Sequence, residues 1–290
     1  MPQTTSTGNL AKAQRTMIGQ MLYTTEHNAP AMALVTHMRL RRGASSVDVP
    51  KAGQMTVSDL VEGQDITDEQ NLGMEFTTLT TSEVGAKVVV TDKLVRQMQP
   101  DVFKVIGRQL GDGMARKKDQ DVIALYGSLN GGTALGAAGA TFTVAHAAAA
   151  YTHAVANKFG TKLSIVHHPN ALYSIINSGA ITPGASGPVD AGWSRDLLQR
   201  FFAGLAPVGG VPMFHDGNIE ADSDDDAVGV IADEGALVVL ESVTMRTERQ
   251  RDASLRGTEV VITADYGVFE LDDSRGAPLK YDATAPSTSE

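Results

Sequence analysis

The chain has no cysteine among its 290 residues. That excludes disulfides, zinc–thiolate sites, iron–sulfur clusters and cysteine nucleophiles, and it suits a protein made in a reducing cytoplasm. Aromatic residues make up 5% of the chain, with a single tryptophan. The core must therefore be filled mostly by Val, Ile, Leu, Ala and Met. No apolar run approaches the roughly 20 residues of a membrane span. The N-terminus, MPQTTSTGNLAKAQRTMIGQM, lacks the apolar centre of a signal peptide. The expectation is a soluble protein, intracellular when made, with no membrane partner. Phosphate-loop, nucleophile-elbow and HExxH zinc motifs are also missing from the sequence.

What is present is a length for one large domain or two moderate ones. Hydrophobic residues at 42% suffice for a core, and 29 glycines announce many turns. The net charge of -10 is unevenly spread. Up to Arg42, Lys12, Arg15, Arg39, Arg41 and Arg42 face only Glu26; from His215 onward, 18 acidic residues face 6 basic ones. Such a chain does not coat nucleic acid nonspecifically. Its short basic start suits either a contact with nucleic acid or an acidic partner, or an ordinary solvated helix.

Residues 9–27 have helical periodicity through Leu10, Met17, Met21 and Leu22. With the apolar-then-basic segment 31–42 they read as an arm. SSVDVPKAGQMTVSDLVEGQDI (45–66) then alternates like a strand but carries few apolar side chains. MEFTTLTTSEVGAKVVVTDKL (74–94) is its expected return limb, rich in Thr and Val. A two-stranded ribbon of this kind is marginal alone in water. KLVRQM (93–98) predicts a short helix. A long helix follows from Pro100 to about Leu129, about 42 Å at 1.5 Å per residue. Phe103, Ile106, Leu110 and Met114 mark its apolar face, and NGGT stops it. Further helices are predicted at 144–157, from Pro169 and over SRDLLQRFFAG. Strands are predicted at KLSIVHH, GGVPMFHDG, DAVGVIADEGALVVLES, VTMRTERQRD and EVVITADYGVFELDD. The fold class is α+β, with a strand-rich C-terminal third returning onto the long helix.

Candidate chemistry is sparse. His167 and His168 are adjacent on a strand and point to opposite faces, which does not suit one metal. The ADSDDDA stretch (221–227) lacks the glycine and distal glutamate of a calcium loop and reads as a solvated acidic turn. GGTALGAAGAT follows a helix rather than a strand, so a dinucleotide site is not supported. No catalytic residue, cofactor site or metal site is assigned. Two charged stretches remain: RKKDQD (116–121) and RTERQRD (246–252). Each reads either as a solvated face with internal opposite-sign pairs or as a contact strip for another subunit.

The order of elements resembles the major capsid proteins of tailed bacteriophages, the Hong Kong 97-type fold. The resemblance runs from about residue 30 to 284. It is carried by the VDVPKAGQMTVSDLVEGQDI hairpin with AKVVVTDKLVRQM, by SIVHHPNALYSII and GGVPMFHDGNI, and by the closing strands with GAPLKYDAT. It implies an N-terminal arm (1–43), an extended β-hairpin loop (44–90) and a peripheral domain with a long spine helix (91–130). An axial domain (131–240) follows, then peripheral return strands with the C-terminal tail (241–290). Intersubunit contacts would fall on Val49, Lys51, Met55, Val57 and Glu62 of the hairpin. The helix would add Arg116, Lys117, Lys118, Asp119 and Asp121; the late strand would add Arg246, Glu248, Arg249 and Arg251.

The implied function is a shell subunit that self-assembles into pentamers and hexamers, icosahedral or prolate, around the double-stranded DNA genome of a tailed phage. DNA would be enclosed without sequence-specific binding. The implied location is the virion capsid, assembled in the host cytoplasm. Some forty residues precede the hairpin, fewer than a fused scaffolding segment needs, so a separate scaffolding protein is expected. A portal protein would occupy one vertex, and decoration proteins stay open. Some members join subunits by a lysine–asparagine bond; Lys51 lies in the hairpin, but no other residue signals that chemistry. The alternatives are an encapsulin-type nanocompartment shell and, from another class, a soluble enzyme or small-molecule binder around His167, His168 and His215.

Overall fold

The computed structural model of the chain describes residues 31–52, 74–92, 102–180 and 211–287. A 3-10 turn, Ala31–Leu34, leads into β1 (Thr36–Arg39) and β2 (Ser46–Ala52). Next come β3 (Met74–Thr80), β4 (Ser82–Thr91) and the long helix α1 (Val102–Ile123). Then follow β5 (Leu135–Gly136), α2 (Val144–Ala156), β6 (Leu163–His167) and α3 (Pro169–Ala180). The last strands are β7 (Met213–His215), β8 (Asp226–Asp233), β9 (Leu237–Asp252), β10 (Gly257–Glu270) and β11 (Gly276–Asp282). The helices expected at 9–27, 93–98 and 194–204 lie outside the described residues.

These strands form a four-stranded sheet, β1-β9-β10-β4, a five-stranded sheet, β5-β11-β8-β6-β7, and the β2-β3 ribbon. The chain passes from the five-stranded to the four-stranded sheet through the tight turn between β8 and β9. There LVVL makes β9 apolar on both faces, as suits a strand buried on both sides. Leu237 and Val239 enter a cluster with Val122 and Val230, while Val238 and Leu240 enter another with Leu79. Beyond Glu241 the strand turns polar and runs out along β10, with a register shift near Asp265.

Helix α1 ties the two bodies together. Leu110 and Met114, one turn apart, pack on Val260, Ile262, Ala264 and Tyr266 of β10. Val122, two turns further, packs in the core beneath β8 and β9. The helix stops at Ile123, sooner than the sequence suggests. Two 3-10 turns replace its expected end, and Asn130, Gly131 and Gly132 take left-handed φ of 57°, 61° and 74°.

Three further differences concern connection rather than element type. The return limb of the hairpin divides at Thr81: β3 stays with β2, whereas β4 pairs antiparallel with β10 from Ser82↔Tyr266 to Thr91↔Gly257. The end of the expected arm is an edge strand, since β1 pairs in parallel with β9. The tail strand β11 does not join the return strands; it pairs with β8 and β5 in the five-stranded sheet. In each case the strand goes where its apolar side chains are covered. Leu279 and Tyr281 of β11, for example, complete the cluster around Phe142 and Ile165.

Candidate functional site

The β2-β3 ribbon has two unlike faces. Val47 and Val49 sit on the side of Leu79 and pack with it on Val238 and Leu240. Strand alternation therefore turns Pro50 and Phe76, which are cross-strand partners, to the opposite side. Phe76 is 63% exposed there. Val49 is thus an inward anchor of the subunit itself, and the hairpin is less bare of packing than its sequence suggests. Lys51 also turns to its own subunit, with Nζ 2.7 Å from Asp272 Oδ1. Met55, Val57 and Glu62 lie outside the described residues. Phe76 was overlooked in the sequence; its opposite parity to Leu79 was the available signal.

The RKKDQD strip is not one surface. Arg116 and Lys117 are exposed, and Lys117 pairs with Asp121 at 2.6 Å one turn on. Lys118 and Asp119 are buried and do not belong to an exposed strip. Lys118 Nζ donates to Glu241 Oε1 (2.7 Å) and to the Thr244 carbonyl (3.1 Å), and it lies 5.1 Å from the Tyr266 ring centre. Burial pushes the Glu241 carboxyl up, but the Lys118 hydrogen bond and charge outweigh it and hold it below its ordinary range. Asp121 accepts from the Tyr266 hydroxyl at 2.7 Å. Burial, then Asp121, pushes that hydroxyl up, so it stays a donor.

Asp119 faces the other way, into the body. Its Oδ1 accepts from the Ala31 backbone N–H (3.0 Å) and its Oδ2 from Asn218 Nδ2 (2.8 Å). Asp216, 1% exposed, lies beside it and accepts from the Asn218 N–H at 2.8 Å. Burial, then the Asp216 side chain, pushes the Asp119 carboxyl up to about 7.

On β9, Arg246 and Glu248 are exposed and pair with each other at 2.6 Å. Arg249 is half-buried, opposite Val260, and its Nη1 has no hydrogen-bond partner among the described residues. Arg251 makes a two-pronged bond to Asp92, at 2.8 and 3.1 Å. That fork fastens the far end of β9 to the residue after β4.

His167 and His168 are structural. His167 is fully buried; its Nδ1 accepts from the His168 N–H (2.9 Å), so its Nε2 donates to the Leu279 carbonyl (3.2 Å). Both ring nitrogens are occupied, and burial lowers the ring to about 4, so it is neutral. His168 Nδ1 accepts from the Asn170 N–H (3.2 Å), serving as the cap of α3 with Pro169 as its first residue. In the acidic turn, Asp222 Oδ1 accepts from the N–H groups of Asp224 and Asp226, and Lys280 sits 2.9 Å from Asp222 Oδ2. That is a stapled turn. Among the described residues, no group of three or more His, Cys, Asp or Glu is placed to hold a metal. An open cleft of about 650 Å³ between α1 and residues 218–228 is lined by Gln120, Ile123, Asn218, Glu220, Asp222 and Val228. It has no nucleophile paired with a base.

The described residues thus form internal polar ties and one ribbon with an exposed face. The sequence model of a family described as phage capsid protein matches residues 75–278. Among proteins of curated function, none matches in sequence. Among solved structures, the chain resembles the capsid of the cyanophage P-SCSP1u, with TM-score 0.63, 15% identity and 87% of each chain covered. It resembles the capsid of a native GTA particle at TM-score 0.64 and 16% identity, covering 88% of this chain and 90% of that one. It also resembles the acid-stable capsid of Helicobacter pylori bacteriophage KHP30 at TM-score 0.65 and 12% identity, covering 88% and 92%. The fold is therefore the α+β Hong Kong 97-type capsid fold.

Proposed function

Since the chain belongs to the phage capsid protein family, we propose that it is the major shell subunit of a tailed phage, assembling with copies of itself into pentamers and hexamers. The observation that carries this reading is the two-faced ribbon. Its inner face is anchored by Val47, Val49 and Leu79, while Pro50 and Phe76 present an exposed apolar pair on the other face. A two-stranded ribbon with a bare aromatic gains stability when laid on a neighbour, which links folding to assembly. Heterologous contacts that close into rings then give pentamers and hexamers.

In this reading the ribbon is the extended loop, α1 the spine of the peripheral domain, and the five-stranded sheet the centre of the axial domain. Arg116, Lys117, Arg246 and Glu248 are exposed contact residues, whereas Lys118, Asp119 and Arg251 serve the subunit's own fold. The net charge of -10 suits a wall that does not condense the genome it encloses. A separate scaffolding protein, a portal at one vertex and assembly in the host cytoplasm complete the reading.

The test is electron microscopy of two variants. Deleting Gly53–Gly73, or replacing Phe76→Ser, is expected to leave a folded subunit and abolish regular shells. Normal shells from both variants would overturn the proposal.

A further inference from the structure

The most unusual group in the molecule is the Asp119–Asp216 pair. Asp119 and Asp216 are 0% and 1% exposed. Three separate elements meet there. Asp119 comes from α1; the N–H of Ala31 comes from the 3-10 turn before β1; Asp216 and Asn218 come from the loop after β7. Asp216 is itself held by its own N–H, which donates to the His167 carbonyl at 3.0 Å.

Three of the four carboxyl oxygens have protein donors, as described above. The fourth, Asp216 Oδ2, is buried and has none among the described residues, yet the Asp216 and Asp119 side chains lie side by side, both bonded to Asn218. Two ionised carboxylates cannot bond each other. A proton on Asp119, the carboxyl that burial and Asp216 push up, gives that orphan acceptor its donor and resolves both facts. Among the described residues, no cation compensates the pair. Lys118, the adjacent cation on α1, is committed to Glu241. Apart from Asn218 and the Ala31 amide, the facing group among the described residues is Tyr126 of the turn after α1. Its hydroxyl is pushed up by burial and then by Asp119 and Asp216, so it stays neutral.

We propose that Asp119 and Asp216 hold one proton between them, making a pH-operated clasp that joins the segment before β1, the long helix and the loop after β7. With the proton in place, the three elements are bonded through one carboxyl pair. Without it, two buried negative charges face each other and the elements separate to admit water. Because the pair takes up a proton more readily folded than unfolded, its stabilisation is complete below about 4. It is lost as the pH rises through about 7. The clasp holds the Ala31–Leu34 turn, so alkaline pH frees that turn from α1. This holds whether or not the chain builds a shell.

The test compares the full-length chain with Asp216→Asn, both in the same assembly state. An asparagine there removes the like charge beside Asp119, can donate to it, and does not titrate. Wild type is expected to lose thermal stability between pH 6 and pH 9, whereas Asp216→Asn stays flat and becomes the more stable of the two at pH 9. Parallel profiles would overturn the clasp. Two measurements on wild type do not depend on the variant folding. A protonated-carboxyl band in the infrared spectrum should be present at pH 6 and absent at pH 9. Exchange of the Ala31 amide should accelerate over that range by more than the tenfold per unit that base catalysis gives any open amide. No titrating band, or exchange that tracks base catalysis alone, overturns the proposal as well.

Discussion

Replacing Lys118→Met separates a buried structural lysine from a surface one. Its ammonium is the cation held by Glu241, and the two side chains are only 3% and 13% exposed. Methionine keeps the apolar stem and the contact with the Tyr266 ring. What it removes is the charge, leaving Glu241 with Thr244 Oγ1 at 3.1 Å as its remaining side-chain donor. Breaking a buried pair from one side costs about 3–5 kcal/mol, because the abandoned charge stays in a poor solvent. For a chain of this size that corresponds to roughly 6–10 °C in the unfolding midpoint. A solvated helix lysine would cost about 0.5 kcal/mol or less.

The pH dependence sharpens the expectation. In wild type, Glu241 is held below its ordinary 4.5. Its contribution is present above that pH and lost as the pH falls through the lower, folded value. In Lys118→Met, burial outweighs what remains to oppose it, chiefly the Thr244 hydroxyl, and raises Glu241, so the sign reverses. The variant should be least stable, relative to wild type, at pH 7, and the gap should narrow towards pH 4. Adding Glu241→Gln should recover most of the loss at pH 7, since no buried charge is then left over. Thermal unfolding at matched protein concentration measures all of this. A single variant within 1 °C of wild type at pH 7, or a gap that does not narrow in acid, would refute the reasoning.

Two further outcomes follow from packing. Leu79→Ala removes a fully buried side chain where the ribbon meets Val238 and Leu240; it should cost about 2–5 kcal/mol in urea unfolding, while Phe76→Ser stays within about 0.5 kcal/mol. Gly229→Ala would place a methyl group on the His167 ring and the Val166 carbonyl oxygen; it should cost about 1–3 kcal/mol or more and lower the soluble yield.

Local periodicity was legible wherever one face of an element meets a core. Leu110 and Met114 mark the inner face of α1, and LVVL marks the doubly buried start of β9. KLSIVHH marks β6, and Pro169 marks the start of α3. The absence of cysteine, the thin supply of aromatics and the low apolar content of residues 45–66 were likewise properties of the sequence alone. They bounded the chemistry and raised the question of what covers the ribbon.

Tertiary structure decided which partner each element received. MEFTTLTTSEVGAKVVV reads as one limb, but Leu79 is covered by β9, while Val90 is covered from β10 and α1. The strand therefore changes sheets at Thr81. RKKDQD reads as a solvated strip, because a charge on a helix is expensive to bury unless a counter-charge is supplied. For Lys118 that counter-charge is Glu241, 123 residues later. Asp119 meets Asp216 and the amide of Ala31 only once three distant segments converge. A sequence records how often a side chain repeats along one face. It does not record which remote group will neutralise a charge or share a proton, because that distance is set by the fold.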